Sequence, residues 1–120
     1  MPDYNIDTTV RYEPLQLIDI PAIVRGCEVD WHNQSLSTVN DCVVRLGIIK
    51  GEFHWHKHDA EDEFFYVVDG PLHIDLEERS VTLERGQAFM VPRGVVHRTR
   101  APEGATILMV EGAGVVPTGD

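Results

Sequence analysis

The chain has 120 residues, of which 42% are hydrophobic, and a formal net charge of −10 from 20 acidic and 10 basic side chains. This length and composition predict one folded domain with a core of its own and exclude a disordered chain. The acidic balance argues against nucleic acid and against an anionic membrane surface as partners, because both bind a basic face.

The cysteines and the first residues indicate where the chain resides. Cys27 and Cys42 fit neither a zinc-knuckle spacing nor a Cys-x-x-Cys redox pair, and we expect both to act as small buried hydrophobes. The first residues lack the basic and apolar runs of a secretory signal. No apolar stretch approaches the roughly 20 residues of a membrane span. We therefore expect a reducing compartment, the cytoplasm.

Residues 1–35 show no clear periodicity and are expected to form a short irregular segment. Within it, residues 15–20 are either a short helix or an edge strand. Pro21 is expected to end that element, because proline lacks an amide proton and restricts the preceding residue. The polar run 31–35 is interpreted as a loop.

From about residue 39, short apolar and β-branched runs alternate with turn residues. The predicted strands cover residues 42–49, 64–68, 72–77, 80–84, 88–91, 95–99 and 106–110. Strands that recur with turn signals at roughly 8–12-residue spacing favour a β-sandwich or a barrel.

Four side chains near these turns have the chemistry of a metal site. His56 and His58 alternate, so in a strand they project from one face. After a turn, the returning strand can place Glu63 beside them, and a turn at residues 92–94 can bring His97 from another strand. Three imidazoles and one carboxylate suit a divalent transition metal such as Fe, Mn, Ni, Co or Zn. They leave coordination positions open, which fits catalysis better than a structural role.

These residues stand in two motifs that resemble those of the cupin superfamily. The shared positions are Gly51, His56, His58, Glu63 and Gly70, then Gly86, Pro92, Gly94 and His97. The two motifs are separated by 15 residues, and the resemblance covers about residues 40–112. The run from Gly51 to His56 is similar to that of small single-domain cupins related to mannose-6-phosphate isomerase. The chain departs from the pattern at Gly51, which lies one residue closer to the first histidine, and at Ala101, where the family has asparagine.

The resemblance implies an all-β fold, a double-stranded β-helix or jelly roll. Residues 36–116 would form this cupin barrel, and residues 1–35 an arm that packs on the barrel or on a partner subunit. It also implies one divalent transition-metal ion near a mouth of the barrel, with the ligands His56, His58, Glu63 and His97. The alternative is a barrel that has lost its metal and keeps these residues as polar filler.

Several neighbours of the motifs are candidates for the pocket. His54 continues the alternation of His56 and is expected to face the same pocket, as a catalytic acid or base, as an alternative metal ligand or as a hydrogen-bonded residue of the wall. Phe65 and Val67 share the parity of Glu63, so they are expected to line the pocket or to pack in the core.

Other neighbours are expected outside the pocket. Phe53 and Trp55 have the opposite parity and should point out of the barrel, where the N-terminal segment or a second subunit would cover them. Cupins commonly dimerise through such a sheet face, so the resemblance implies a homodimer. Three arginines near the second motif either bind an anion at the mouth or, by parity, lie in solvent: Arg93, Arg98 and Arg100.

The sequence leaves three functions open. The first is a metal-dependent enzyme of isomerase, lyase or dioxygenase type that acts on a small oxygen-rich molecule, such as a sugar derivative or a diketone. The second is a non-catalytic module that binds a small molecule. The third is an accessory protein of a biosynthetic pathway.

Overall fold

The computed structural model describes residues 4–120, and strands dominate them. The elements in chain order are β1 Ile6–Asp7, α1 Ile20–Gly26, β2 His32–Val39, β3 Cys42–Glu52, β4 Glu63–Asp69, β5 Leu72–Leu76, β6 Ser80–Leu83, β7 Ala88–Val91 and β8 His97–Gly112. Within this part of the chain, no helix is long and apolar enough to cross a membrane.

Strand β8 organises the sheet, because it pairs with β3, β4 and β5. The strand order is β1-β2-β3-β8-β4-β7, and β5 links β6 to β8. The β1–β2 pair is parallel and the other pairs are antiparallel. This confirms the all-β double-stranded β-helix expected from the sequence.

The interior of the barrel is mainly apolar. Strand β4 alternates as predicted, because it buries Glu63, Phe65 and Val67 while Phe64 and Tyr66 are partly exposed. The buried cluster consists of Ile49, Phe65, Val67, Leu72, Ile74, Leu83, Val91, Ala101, Ala105, Ile107 and Met109. Ala101 belongs to this cluster, so an apolar contact occupies the place of the family's asparagine.

The long strand β8 corrects one prediction. Residues 95–99 and 106–110 were expected to be two strands, and the structure has one strand across them. The register against β3 jumps from the pair Gly51–Ala101 to the pair Ile49–Ala105. The irregularity absorbs the proline and glycine of residues 102–104, which is why these residues do not end the strand.

A second correction concerns residues 31–35, which were interpreted as a loop. Most of them belong to β2, which pairs with β3. The polar side chains are buried because they bind a buried guanidinium: Asn33 Oδ1 accepts from Arg45 Nε at 2.9 Å, and Ser35 Oγ accepts from Arg45 Nη1 at 3.0 Å. A strand whose polar side chains bind a buried charge has the amino-acid composition of a loop, which explains the wrong prediction.

A third correction concerns Pro21, which was expected to end an element. It stands in the first turn of α1, and the side chain of Asp19 caps that turn by accepting from the Ala22 amide at 3.1 Å. Proline suits this place, because the first amides of a helix have no partner inside the helix.

Phe53 and Trp55 were expected to point out of the barrel, and only Trp55 does so. Trp55 is exposed, and the Arg98 guanidinium lies 5.1 Å from the centre of its ring. Phe53 is covered by the N-terminal segment, as one of the two expected covers, since it stacks on Trp31 at 5.5 Å with Tyr4 4.3 Å away. It lines the cavity beside His56, however, and does not point out of the barrel. The parity rule failed because β3 ends before Phe53. The homodimer, the division into arm and barrel and the cytoplasmic location stay predictions.

Candidate metal centre

His56 and His58 lie in the irregular segment between β3 and β4, and this segment runs next to the start of β8. His56 and His97 form a two-way backbone bridge, with each amide 2.9 Å from the other's carbonyl oxygen. The Gly94 amide donates to the His58 carbonyl at 2.8 Å. Gly94 has a φ of 79°, a conformation that favours glycine, so the second motif turns back onto the first.

The four predicted ligand residues come together. Their donor atoms, one from each of His56, His58, Glu63 and His97, all lie within 4.8 Å of one another. Two atoms bound to one ion at about 2.1 Å lie at most about 4.2 Å apart, so only a small contraction is needed to bind a metal. The cluster can therefore hold a divalent ion, as expected.

Backbone carbonyls orient two of the imidazoles. His56 Nδ1 lies 3.0 Å from the His54 carbonyl, and His97 Nδ1 lies 2.9 Å from the Val95 carbonyl. A carbonyl only accepts, so in each ring Nδ1 carries the proton and Nε2 is left as an electron-pair donor. This is the arrangement in which a second contact fixes a metal-binding histidine.

His58 provides the test of whether a metal fits. It is buried, and neither of its ring nitrogens has a hydrogen-bond partner among residues 4–120. Its Nε2 lies 3.4 Å from Glu63 Oε1, which is also 3.3 Å from His97 Nε2. Buried polar atoms without partners are costly, and a cation placed among these nitrogens and the carboxylate would satisfy them.

The charges of the cluster favour a bound cation. Burial raises the pKa of Glu63, but the contacts with His58 and His97 outweigh it and hold that pKa well below its usual range. Burial lowers the pKa of His56 to about 4. For His58, burial lowers the pKa, but the contact with Glu63 and the charges of Asp120 and Glu61 together raise it above its usual value. Glu63 is thus a carboxylate at neutral pH and His56 a neutral imidazole.

Sequence analysis missed two buried residues beside this cluster, Glu111 and Arg45. Glu111 lies opposite Glu63 in the β4–β8 ladder, and Arg45 Nε is 3.4 Å from Glu111 Oε1. Burial and the charge of Glu63 raise the pKa of Glu111 to about 9. The two carboxyl groups therefore hold one proton and one negative charge at neutral pH, which Arg45 balances. The sequence does contain a signal for Arg45, because a charged residue within the β-rich run 42–49 indicates a buried charge that needs a partner.

A cavity of about 30 Å³ adjoins the cluster. Its wall includes Phe53, His56, Glu63, Phe65 and Pro117. Phe65 lines the cavity as expected, whereas Val67 packs in the apolar cluster. The wall is largely aromatic and aliphatic, so few water molecules compete for the polar atoms at its end.

His54 lies beside that wall as a hydrogen-bonded residue, which is one of the roles expected for it, with its ring 4.4 Å from that of Phe53 and 5.4 Å from that of His56. Its Nε2 lies 2.6 Å from the Thr118 carbonyl, and its Nδ1 lies 3.3 Å from the Tyr4 hydroxyl. The chain is irregular here, so the alternation of a strand does not apply. The catalytic role of His54 stays a prediction.

The arginines of the second motif are also placed differently. Arg98 Nε and Arg100 Nε lie 2.9 and 3.0 Å from the carboxylate of the buried Asp75 on β5. They are therefore neither anion ligands nor free solvated charges. The amide of Arg93 donates to Asp62 at 3.0 Å.

The comparisons with known proteins agree with this geometry. The sequence model of the cupin domain, Cupin_2, matches residues 44–112. The uncharacterized protein YdbB of Bacillus subtilis is 41% identical over 80 residues, which are 66% of this chain and 71% of that protein. A protein named polyketide synthase CurC, from Streptomyces cyaneus, is 40% identical over 45 residues, or 38% of this chain and 29% of that protein.

Among solved structures, a cupin-2 domain protein from Shewanella frigidimarina superposes with a TM-score of 0.75 at 30% identity, over 80% of this chain and 94% of that chain. Both the fold and the motif residues thus agree with one family. The chain belongs to the cupin domain family.

Proposed function

We propose that the chain binds one divalent transition-metal ion through His56, His58, Glu63 and His97 and is a metal-dependent enzyme. Its substrate would be a small oxygen-rich molecule, and its reaction of isomerase, lyase or dioxygenase type. One observation carries the proposal: both ring nitrogens of the buried His58 lack a hydrogen-bond partner among residues 4–120, inside a cluster of donor atoms in which the Glu63 carboxylate lies 3.4 Å from its Nε2. Fe, Mn, Ni, Co and Zn all suit this donor set.

The chain's own residues would prepare the site. The carbonyls of His54 and Val95 fix the rings of His56 and His97, and the Glu63 carboxylate supplies the negative charge. Phe65 and the other apolar wall residues would lower the polarity around the ligand atoms. When bound, a divalent ion polarises a carbonyl or stabilises an enolate.

A diketone is the substrate class that we favour over a sugar derivative. An ion held by three imidazoles and a carboxylate would keep open coordination positions, which two oxygens of one molecule would fill. The Streptomyces cyaneus relative is named as a polyketide synthase, and polyketides are built from carbonyl groups in 1,3 positions. The apolar cavity wall suits such a molecule better than a fully hydroxylated sugar.

The test uses 2,4-pentanedione as the probe, with protein loaded in turn with Fe, Mn, Ni, Co and Zn. We expect conversion of the diketone by at least one loaded form and none after chelation. The variant Glu63→Gln should lose it, whereas Glu84→Gln, an exposed acid changed in the same way, should keep it. Equal conversion by Glu63→Gln, or by stripped protein, would contradict the proposal.

A second candidate, a non-catalytic small-molecule-binding or accessory cupin, is favoured by the small cavity. A volume of about 30 Å³ leaves little room for a substrate unless part of the wall moves. Calorimetry on the metal-loaded protein separates the two candidates. Binding of 2,4-pentanedione without any conversion would favour the binding module.

A further inference from the structure

We propose that residues 113–120, called the strap below, close the mouth of the candidate metal site and that His54 is the latch that holds them there. A molecule larger than a few atoms would reach the site only when the strap moves aside. This inference rests on the proposed function, because it concerns access to the same site.

The size of the cavity requires that a part of its wall can move. The cavity leaves only about 30 Å³ for the centres of water-sized molecules, whereas pockets that hold small-molecule ligands measure about 300 Å³ or more. Most of the wall cannot move cheaply: Ile49, Phe65 and Ile107 lie on hydrogen-bonded strands. Besides the bridged His56, three wall residues lie outside the strands: Trp31, Phe53 and Pro117. Trp31 and Phe53 stack on each other, so the strap that carries Pro117 is the wall segment that moves with the least loss.

Few contacts hold the far end of the strap. The Thr118 carbonyl lies 2.6 Å from His54 Nε2, the Asp120 amide donates to the Lys57 carbonyl at 2.9 Å, and Asp120 Oδ2 accepts from the Asp59 amide at 2.6 Å. Thr118 and Asp120 are exposed. Such bonds are individually weak in water, so opening is reversible.

Gly119 lets the strap close against a metal ligand. It has a φ of 96°, and a Cβ atom built there would lie 2.6 Å from the Cβ of His56. Any other residue would meet both an unfavourable backbone conformation and a steric clash, so the closed strap requires glycine at this position.

The hydrogen-bond partners of His54 determine which of its ring nitrogens carries the proton and how the ring is oriented. The Thr118 carbonyl only accepts, so Nε2 of His54 carries the proton and donates it. The ring's other nitrogen then accepts from the Tyr4 hydroxyl, which also accepts from the His54 amide at 3.1 Å. Tyr4 thereby holds the ring in the orientation that reaches the strap, which makes His54 a positioning residue.

The test measures access to His56 in metal-free protein, with diethyl pyrocarbonate as the probe. The reagent acylates unprotonated imidazole nitrogens, and peptide mass spectrometry follows the rate at each histidine. His73, on β5 with its Nδ1 2.9 Å from Thr82 Oγ1, is the internal reference. Gly114→Ala is the matched control for Gly119→Ala, because a Cβ at Gly114 meets nothing within 4 Å.

We expect Gly119→Ala to raise the rate at His56 by about tenfold and Gly114→Ala to leave it unchanged. His54→Phe should raise the same rate, because it removes the latch and keeps a ring. His54→Gln, which keeps an N–H donor, should restore part of the wild-type protection. His73 should react at one rate in all variants.

Wild-type rates at His56 in both Gly119→Ala and His54→Phe would overturn the proposal. If the rates at His56 and His73 rise together, the variant is unfolded, and Asp120→Ala then decides. This change removes only the bond to the Asp59 amide, and a rise at His56 alone supports the strap, whereas no rise refutes it. Because no metal is present, this result stays separate from a failure of the metal proposal.

Discussion

The interior of the barrel has two buried regions that satisfy burial in different ways. Near β5 and β6, side chains such as Leu72 and Ile74 are fully buried and carry no polar atoms, so packing alone accounts for them. At the other region His58, Glu63 and Glu111 are also buried, yet His58 lacks hydrogen-bond partners among the described residues. The first region stabilises the fold. The second lowers the stability of the metal-free protein, because it buries polar atoms whose missing partner would be a bound cation.

The largest effect should come from the charge that supports the polar region. Arg45→Met removes the buried guanidinium and leaves Glu111, Asn33 and Ser35 without their partner. We expect the free energy of unfolding to fall by about 4 kcal/mol, because breaking a buried charged network strands the remaining groups. Urea denaturation measures it, with the exposed Arg79→Met as the control. A loss no larger than that of the control would remove Arg45 from this account.

The apolar region should show the opposite pattern of effects. Leu72→Ala should lower the free energy of unfolding by about 3 kcal/mol, because it leaves a cavity in the core. The metal content per folded chain should not change. Leu17→Ala is the matched control at an exposed position and should cost little. A loss of metal in Leu72→Ala would show that the two regions are not separable.

Metal removal should affect the polar region alone. At a free ion concentration of about 100 times Kd, binding stabilises the folded state by about 2.7 kcal/mol, so a chelator should lower the melting temperature. Calorimetric scans of loaded and stripped protein measure the shift. The stripped protein should keep its far-UV spectrum, since the strands do not depend on the ion. An identical melting temperature for the two forms would contradict a bound metal that joins the strands.

The smallest effect concerns Asp75, which lies outside both regions. The hydrogen bond from Arg100 is the largest cause that holds its pKa below the usual range, and bonds from Ser80 and Arg98 add to it. The folded state therefore binds fewer protons than the unfolded state at acid pH. The contribution of Asp75 is complete above its unfolded pKa of about 3.9 and is lost as the pH falls further.

Asp75→Asn should thus cost about 2 kcal/mol at neutral pH, and the difference from wild type should shrink on acidification. Denaturation curves from neutral to acid pH measure this, with the exposed Asp30→Asn as the control. A difference that stays constant down to the lowest pH would contradict the ion pairs of Asp75.

The sequence predicted those parts of the molecule that local patterns encode. Alternation and turns predicted β4 to β7, and the motif spacing predicted the cluster of His56, His58, Glu63 and His97. Non-local partners decided the rest. The polar residues 31–35 became a strand because Arg45 lies opposite them, and Phe53 turned inward because β3 ends before it. Neither cause is visible within a short window of sequence.

The placement of His54 illustrates the same limit. Its alternation with His56 left a catalytic and a hydrogen-bonded role open, and the carbonyl that its ring binds, that of Thr118, lies more than sixty residues later in the chain. Only the folded chain brings these groups together.

The central claim is that the four clustered side chains hold one metal ion. Elemental mass spectrometry of untagged wild-type protein, His97→Ala and His73→Ala tests it most directly. His73 lies on β5, outside the cluster, so its variant controls for the loss of a histidine. We predict about one transition-metal ion per chain in the wild type and in His73→Ala, and none in His97→Ala. Equal metal in all three proteins, or none in any of them after soaking with the ions, would contradict the claim.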